Sequence, residues 1–538
     1  LPLRQEYAAE LARVQALVVE HRRQGREAVV VMGLGFVGLV MAAIVADAED
    51  EQGRPRYFVI GLQRPSARSF WKVPLINAGI CPLASEDPLV PEMVTRTVWD
   101  KGTFTATYNE ELLSLADVVV VDVQCDIVKK GLADVGKSMV NIDAFQAAIK
   151  TIGEFIPPHA LVLVETTVPP GTTEHVVFPI LEKRFRQRDI PTSPLVAHSF
   201  ERVMPGREYV SSIRDFWRVC AGVDARSTER CIEFLRNVLN TRDFPLTVLD
   251  TPLESETAKI MENSFRATCI AFSAEWGDFA EEHGVDLVKV IEAIRRRPTH
   301  QNMLFSGPGV GGYCLPKDGG FGLWAHRYLF SGGQEIFQLT PRAIDINDTR
   351  GFHVVDLVQA ALLELGRQVP GSCVLVLGCS YREDVGDTRY SPSELIVRKL
   401  HEKGAQIGVH DPYVRIWPEL KYQDIDYDHS LARHFRRQQE LSLLEVQQDL
   451  GQALQGTQCI VLAVRHAAYR TLDPEWVVRQ AGGPLAVVDT FGILDDARII
   501  RYLELGCTVR AVARGHIKRL AQRANRRPTP PPSGVQPT

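Results

Sequence analysis

Apolar positions along this chain follow two rhythms, one helical and one strand-like, and the changes between them divide it into segments. Residues 3–24 place apolar side chains at helical spacing with charges between them, which predicts an amphipathic leading helix. AVVVM (28–32) is a short continuous apolar run, the pattern of a parallel strand covered on both faces. GLGFVG (33–38) follows it directly, and LVMAAIVADAE (39–49) reads as a helix. YFVIGL (57–62), DVVVVDV (117–123) and ALVLVET (160–166) are further strands with helical stretches between them. Such alternation predicts a doubly wound parallel sheet.

Residues 251–298 carry no strand signal, and a long helical pattern there ends at Gly284. A helix of that length in mid-chain either links two domains, with a face for another subunit, or is a core helix of one domain. From residue 372 the alternation resumes. SCVLVLGCS (372–380), AQIGVHDP (405–412), CIVLAV (459–464) and LAVVDT (485–490) are strands, and SPSELIVRKLHEKG (391–404) is a helix closed by Gly404. The charge-rich stretch 421–456 reads as a mainly helical insertion, and the Pro-rich tail 526–538 as disordered. The expected fold class is α/β, with two Rossmann-like doubly wound domains joined by a long central helix. The expected segments are 1–27, 28–250, 251–368, 369–520 and 521–538.

Composition narrows the function classes. The chain has 538 residues, 45% hydrophobic and 24% charged, with a net charge of -5. That is a soluble globular balance without the basic face a nucleic-acid binder needs. No apolar stretch reaches membrane-spanning length, so a cytoplasmic location is expected. Ten cysteines are scattered without a CxxC pair, which argues against a structural zinc or a secreted disulfide scaffold; no metal is expected.

The first chemistry-bearing motif is Gly33-x-Gly35-x-x-Gly38, set between a strand and a helix. Gly33 permits the tight turn, Gly35 lets a pyrophosphate approach the main chain, and Gly38 lets helix and strand pack closely. Alone the motif also fits an unrelated glycine-rich turn; its setting favours a dinucleotide, with Phe36 and Val37 beside it. The second strand lacks the acid that usually binds ribose hydroxyls, and Gln63 and Arg64 follow it instead. Two readings stand for Arg64: a 2′-phosphate partner, which would admit NADP beside NAD, or a solvated surface charge.

GPGVGGYCLPKD (307–318) packs four glycines into six residues, which excludes regular helix or strand and presents Cys314 on a tight loop. Lys317 and Asp318 put a cation and a carboxylate within a turn of the thiol, and a nearby cation favours the thiolate. A lone cysteine is more often structural; the glycines favour an approachable one.

Together with INAGICPL (76–83), ETTVPPGTTE (165–174), SFERVMPG (199–206), ETAKIMENSFRATCIAF (256–272) and VLGCSYREDVGDTRYSP (376–392), these motifs resemble the UDP-glucose/GDP-mannose dehydrogenase family from about residue 28 to 515. The SFERVMPG and GYCLPKD forms are closer to the branch that oxidises UDP-N-acetylhexosamines. The resemblance implies an NAD-dependent four-electron oxidation of a nucleotide sugar's C6 alcohol, with Cys314 as covalent nucleophile and a homodimer or higher homo-oligomer. It implies segments 28–250 for the NAD(P), 251–368 for the cysteine loop and 369–520 for the nucleotide sugar. Lys259, Asn263, Asp318 and Glu165 match the family's other catalytic positions. Thr167, Lys317 and Arg389 fall with the cofactor set, Arg389 also reaching the substrate. Glu201, Arg202, Phe305, Gly307, Gly311 and Arg382 fall with the substrate. One departure is clear: where the family has a Pro-Thr-Pro-like turn, this chain has Gln124-Cys125-Asp126, so Cys125 takes the threonine's place near the cofactor. A thiol is the weaker donor. That leaves a second reading, a divergent member oxidising another primary alcohol such as a nucleoside or antibiotic precursor. A third, a non-enzymatic homologue, predicts damage to the catalytic set, which is intact.

Overall fold

The computed structural model describes residues 2–129, 131–422, 431, 434–435 and 438–526. The chain divides into two compact units: residues 1–128, 138–262 and 320–336, and residues 129–137, 263–319 and 337–538.

The first unit opens with helix α1 (Arg4–Arg23) and is built on an eight-stranded sheet. Its strands are β1 (Glu27–Met32), β2 (Tyr57–Leu62), β3 (Phe104–Thr107), β4 (Val118–Val121), β7 (Leu161–Val164), β8 (Leu195–His198), β9 (Val219–Gly222) and β10 (Thr247–Val248), with β5 (Asp126–Val128) and β6 (Met139–Asn141) forming a separate hairpin. The order is β10-β9-β8-β7-β4-β1-β2-β3, parallel except between β8 and β9. Side chains alternate between two cores. Val29 and Val31 enter one; Ala28, Val30 and Met32 enter the other. Both faces are covered, so β1 and β4 read as unbroken apolar runs. Because β1 lies between β2 and β4, chain direction reverses beside it and opens a crevice at the strand ends. Helix α2 (Phe36–Asp47) leaves β1 at that point.

In the second unit β11 (Cys373–Leu377), β12 (Gln406–His410), β13 (Val446–Gln447), β14 (Cys459–Leu462), β15 (Ala486–Asp489) and β16 (Thr508–Ala511) form an all-parallel sheet in the order β13-β12-β11-β14-β15-β16. Helix α3 (Pro252–His283) gives its residues up to Glu262 to the first unit and those from Asn263 to the second. Helices α4 (Leu339–Glu364) and α5 (Pro392–Glu402) complete the second unit's main layer.

Every strand read from the apolar runs is present. Those not anticipated, β3, β8–β10, β13, β16 and the hairpin, are short or carry polar residues. The stretch 421–456 is corrected. Its described part holds a 3-10 turn at Gln439–Leu443, strand β13 and a four-residue helix, Leu450–Ala453. Burial of Val446 on the open edge of β12 outweighs the helix preference of the surrounding Glu, Gln and Leu residues. The disorder expected for 526–538 falls outside the described residues, except that Arg526 ends a helix begun at Ile517.

Candidate active site

The glycine-rich turn after β1 is shaped by close approach. Gly33 has φ +103°, and a Cβ there would lie 2.5 Å from the Asp122 carbonyl; one on Gly38 would collide with the Gly33 carbonyl. A Cβ on Gly35 would meet nothing within 4 Å, so that face of the turn is open. α2 starts at Phe36 with no side-chain cap, leaving its first N–H groups to meet an anion. These features fit a dinucleotide pyrophosphate. Phe36 is exposed, and its carbonyl accepts from the Tyr209 hydroxyl at 2.5 Å. Val37 and Thr167 are half-buried, and Thr166 Oγ1 donates to the Val121 and Val123 carbonyls at 2.9 Å each. Gln63 Oε1 accepts from the Leu34 N–H at 3.1 Å, while Arg64 is exposed. Cys125 is 3% exposed and packed in the apolar core, its sulfur 4.0 Å from the Asn141 carbonyl. Its sulfur faces the hairpin, where the family resemblance had it approaching the cofactor.

Beneath the turn lies a buried charge network that the sequence did not announce. Glu165, at the end of β7, is fully buried, and Asp122, at the end of β4, is half-buried with its Oδ2 atom covered. Burial lifts both carboxyl pKa values; the Glu165 charge lifts Asp122 well above the carboxylate range, so the pair's proton resides on Asp122. Glu165 forms an ion pair with Arg218, 2% exposed. Glu165 is therefore turned inward, away from solvent. Lys259 Nζ donates to the Glu201 carbonyl at 2.8 Å and lies 3.4 Å from its carboxylate. Burial pushes the Glu201 pKa up, but Lys259, the Val203 N–H and Arg218 hold it below its usual value. His198 is pushed down to about 3 by burial and the Arg218 and Lys259 charges, so it stays neutral, with Nδ1 2.8 Å from Ser255 Oγ. Arg202 pairs with Glu262 at 3.4 Å and lies over the Phe200 and Phe216 rings.

The cysteine loop belongs to the second unit. Gly309 and Gly312 have φ of +134° and +84°, conformations that L side chains rarely adopt. A Cβ on Gly311 would lie 2.7 Å from Tyr381, and one on Gly307 would lie 2.8 Å from the Phe491 ring. The Gly312 N–H donates to the Arg389 carbonyl at 2.9 Å, tying the loop to the segment after β11. The Cys314 side chain is part-exposed, and its carbonyl accepts from the Lys317 and Asp318 N–H groups at 3.1 and 2.9 Å. Asp318 is 1% exposed: one oxygen accepts from Asn263 Nδ2 at 2.8 Å, the other from Lys317 Nζ at 3.0 Å. Lys317, also 1% exposed, lies 4.1 Å over the Tyr313 ring, so its charge serves the loop's interior. Arg389 stands 5.3 Å over the same ring and forms a forked pair with Asp387. Burial works against its charge, yet Asp387, with Cys314 and Tyr381 adding, holds its pKa above the guanidinium range. A guanidinium that interacts electrostatically with Cys314 favours the thiolate. Arg382 is half-buried beside Tyr381, and Phe305 is covered by Arg295 at 5.3 Å.

The chain matches the NAD binding domain of the UDP-glucose/GDP-mannose dehydrogenase family over residues 27–240, its central domain over 253–348 and its UDP binding domain over 375–496. It belongs to this family. It is an NAD-dependent oxidoreductase of the nucleotide-sugar dehydrogenase type. UDP-N-acetyl-D-mannosamine dehydrogenase of Pyrococcus horikoshii is 27% identical over 493 residues, 91% of this chain and 100% of the relative. NDP-N-acetyl-D-galactosaminuronic acid dehydrogenase of Ralstonia nicotianae is 26% identical over 87% of this chain and 96% of its own length. The crystal structure of NDP-N-acetyl-D-galactosaminuronic acid dehydrogenase from Methanosarcina mazei Go1 superposes with a TM-score of 0.73 at 26% identity, covering 92% of this chain and 98% of that one. These relatives lie in the N-acetylhexosamine branch that the SFERVMPG and GYCLPKD segments indicated. No described helix is long and apolar enough to cross a membrane, and all ten cysteines are free thiols.

Proposed function

We propose that this dehydrogenase oxidises the C6 alcohol of a UDP-N-acetylhexosamine to the uronate in two hydride transfers, through a thioester on Cys314. The observation that carries the proposal is a part-exposed thiol on a glycine-rich loop that Gly312 ties to the Arg389 carbonyl and Asp318 anchors to Asn263. NAD, when bound, accepts the hydrides. Lys259 meets the alkoxide that forms as the alcohol loses its proton, and departure of the first hydride from that alkoxide leaves the aldehyde. The Cys314 thiolate adds to the resulting aldehyde, giving a thiohemiacetal whose loss of hydride leaves a thioester. Water, oriented by Asn263 and Asp318, releases the carboxylate and restores the thiol. In this reading Glu165 acts through its ion pair with Arg218, Glu201 and Arg202 serve the sugar, and Phe305, Gly307, Gly311, Arg382 and Arg389 serve the nucleotide sugar. The test is stoichiometry: two reduced cofactors per uronate across a panel of UDP-sugars. One per sugar, with aldehyde accumulating, would overturn the thioester route. The family's UDP binding domain within this chain favours a nucleotide sugar over a nucleoside or antibiotic precursor.

The three matched domains support a division into cofactor (28–250), central (251–368) and nucleotide-sugar (369–520) segments. A homodimer is part of the same proposal. Phe265, Phe272, Trp276 and Phe279 of α3 are 51%, 53%, 47% and 49% exposed, at spacings of seven, four and three residues, the seam of a helix made to meet its own copy. A mass measurement in solution of Phe272→Glu against the unchanged chain tests it. Ten free thiols and a nucleotide-sugar substrate suit the cytoplasm.

A further inference from the structure

Glu419 lies in a short helix, Pro418–Lys421, at the start of the charge-rich stretch, and it is buried. Its Oε2 accepts from Thr388 Oγ1 at 2.7 Å, and its main-chain carbonyl accepts from Arg398 Nη2 at 3.0 Å. Arg398, on α5, is fully buried and donates from Nε to Glu394 Oε1 at 2.7 Å. Later residues of the stretch return to the same pair. The Leu431 N–H donates to Glu394 Oε1 at 2.9 Å, and Gln438 Nε2 donates to the Arg398 carbonyl at 2.9 Å. Burial, with the Glu394 charge adding, pushes the Glu419 pKa from 4.5 up to about 7, against the pull of the Thr388 hydroxyl.

This network grips the turn of Asp387, Thr388 and Arg389. The Tyr381 N–H donates to the Asp387 carbonyl at 2.9 Å, the Arg389 N–H to Asp387 Oδ1 at 3.0 Å and the Ser391 N–H to the Thr388 carbonyl at 3.1 Å. Tyr390 then takes φ +52°, left-handed for a residue with a side chain. Thr388 is buried between the two members of the Asp387–Arg389 ion pair. Its bond to a fixed acceptor therefore sets the direction in which the guanidinium leaves the turn.

We propose that Thr388 and Glu419 are positioning residues for the nucleotide sugar: their hydrogen bond fixes the turn 387–389 so that Arg389 meets the ligand, and the stretch after residue 421 holds that bond in place. The inference rests on the reading of Arg389 as a substrate residue. Thr388 bonds more strongly to an ionised Glu419 than to a protonated one, which is why its hydroxyl draws the pKa down. Glu394 of α5 and Asp387 of the turn face Glu419 as like charges, the Cys379 thiol lies near it, and Arg398 holds its carbonyl. The turn is therefore held more firmly above about pH 7 than below it.

Calorimetric titration of the full chain with UDP-N-acetylglucosamine tests the proposal. Its two phosphates are already ionised at every pH used. Arg389→Ala is expected to weaken binding by about tenfold or more. Thr388→Val, which loses the hydroxyl, is expected to weaken it about fivefold, and Thr388→Ser to restore it to within about twofold. The unchanged chain is expected to bind about two- to fivefold more tightly at about pH 8 than at about pH 6, and Glu419→Gln to keep the weaker value at both. Unchanged affinity in Thr388→Val, with a lowered unfolding temperature, would make the bond merely structural and overturn the inference while Arg389→Ala still weakens binding. So would a Glu419→Gln variant that keeps the pH dependence of the unchanged chain. If Arg389→Ala binds normally, the substrate reading of Arg389 fails, and this inference with it. No binding by the unchanged chain would overturn both.

Discussion

Lys259 Nζ donates to the main-chain carbonyl of Glu201 at 2.8 Å, and the Glu201 carboxylate lies 3.4 Å from the same nitrogen. The ammonium is thus positioned chiefly by a backbone atom, which a change of side chain at 201 leaves in place. Lys259→Ala removes the group proposed to meet the alkoxide. It should lower kcat by about 10²–10⁴-fold with little change in KM for the sugar nucleotide. Glu201→Gln keeps the carbonyl bond and should cost far less, about tenfold. Steady-state kinetics of the two variants check the ordering; a larger loss from Glu201→Gln would make the carboxylate itself the active group.

Cys314 carries the covalent step in the proposed scheme. Cys314→Ser should depress uronate release by at least about 10³-fold while leaving nucleotide-sugar binding measurable by titration. Mass spectrometry of the unchanged enzyme, quenched during turnover, should find an acyl adduct on the peptide holding Cys314. Wild-type-like uronate output from the serine variant would remove the thioester from the mechanism.

Much of this architecture was legible. β1, the glycine turn and α2 announce themselves because an apolar run, three spaced glycines and a helical stretch are all local signals. The cysteine loop is legible for the same reason: Gly309 and Gly312 take backbone conformations that only glycine adopts easily. The network of Asp122, Glu165, His198, Arg218 and Lys259 is of another kind. Its members come from the ends of four strands and a distant helix, adjacent only once the sheet has formed in the order β9-β8-β7-β4. The one local hint was Asp122 itself, a charge closing the run DVVVV. Cys125 shows the opposite limit: the turn that bears it was recognisable, yet the direction of its sulfur depends on core packing against the hairpin.

Lys317 and Asp318 form a pair that is 1% exposed on each side. Removing one member of such a pair leaves the other charge buried and unmatched, at a cost of about 3–5 kcal/mol. Lys317→Met should therefore shift the denaturant-derived unfolding free energy down by about that amount. Combining it with Asp318→Leu should cost less than the sum of the single changes, because the two share one interaction. Additive losses would mean that Asn263 alone satisfies the Asp318 carboxylate.

Glu256, near the start of α3, is fully buried, and its carboxylate accepts from the Gly171 N–H at 2.5 Å, the Thr173 N–H at 2.8 Å and Thr173 Oγ1 at 2.7 Å. Burial pushes its pKa from 4.5 up to about 8 against the opposing pull of those donors. Between these two values the folded chain holds a proton that the unfolded chain has released. The unfolded state binds fewer protons there, so stability falls as pH rises through that window and levels off above it. Thermal unfolding of the unchanged protein at pH values from about 5 to 8 should show this decline. Glu256→Gln, which cannot ionise, should flatten the part of the slope due to this residue. An identical slope in the variant would mean that the three donors keep Glu256 ionised throughout, and that another buried carboxyl, of which Asp122 is the first candidate, carries the dependence.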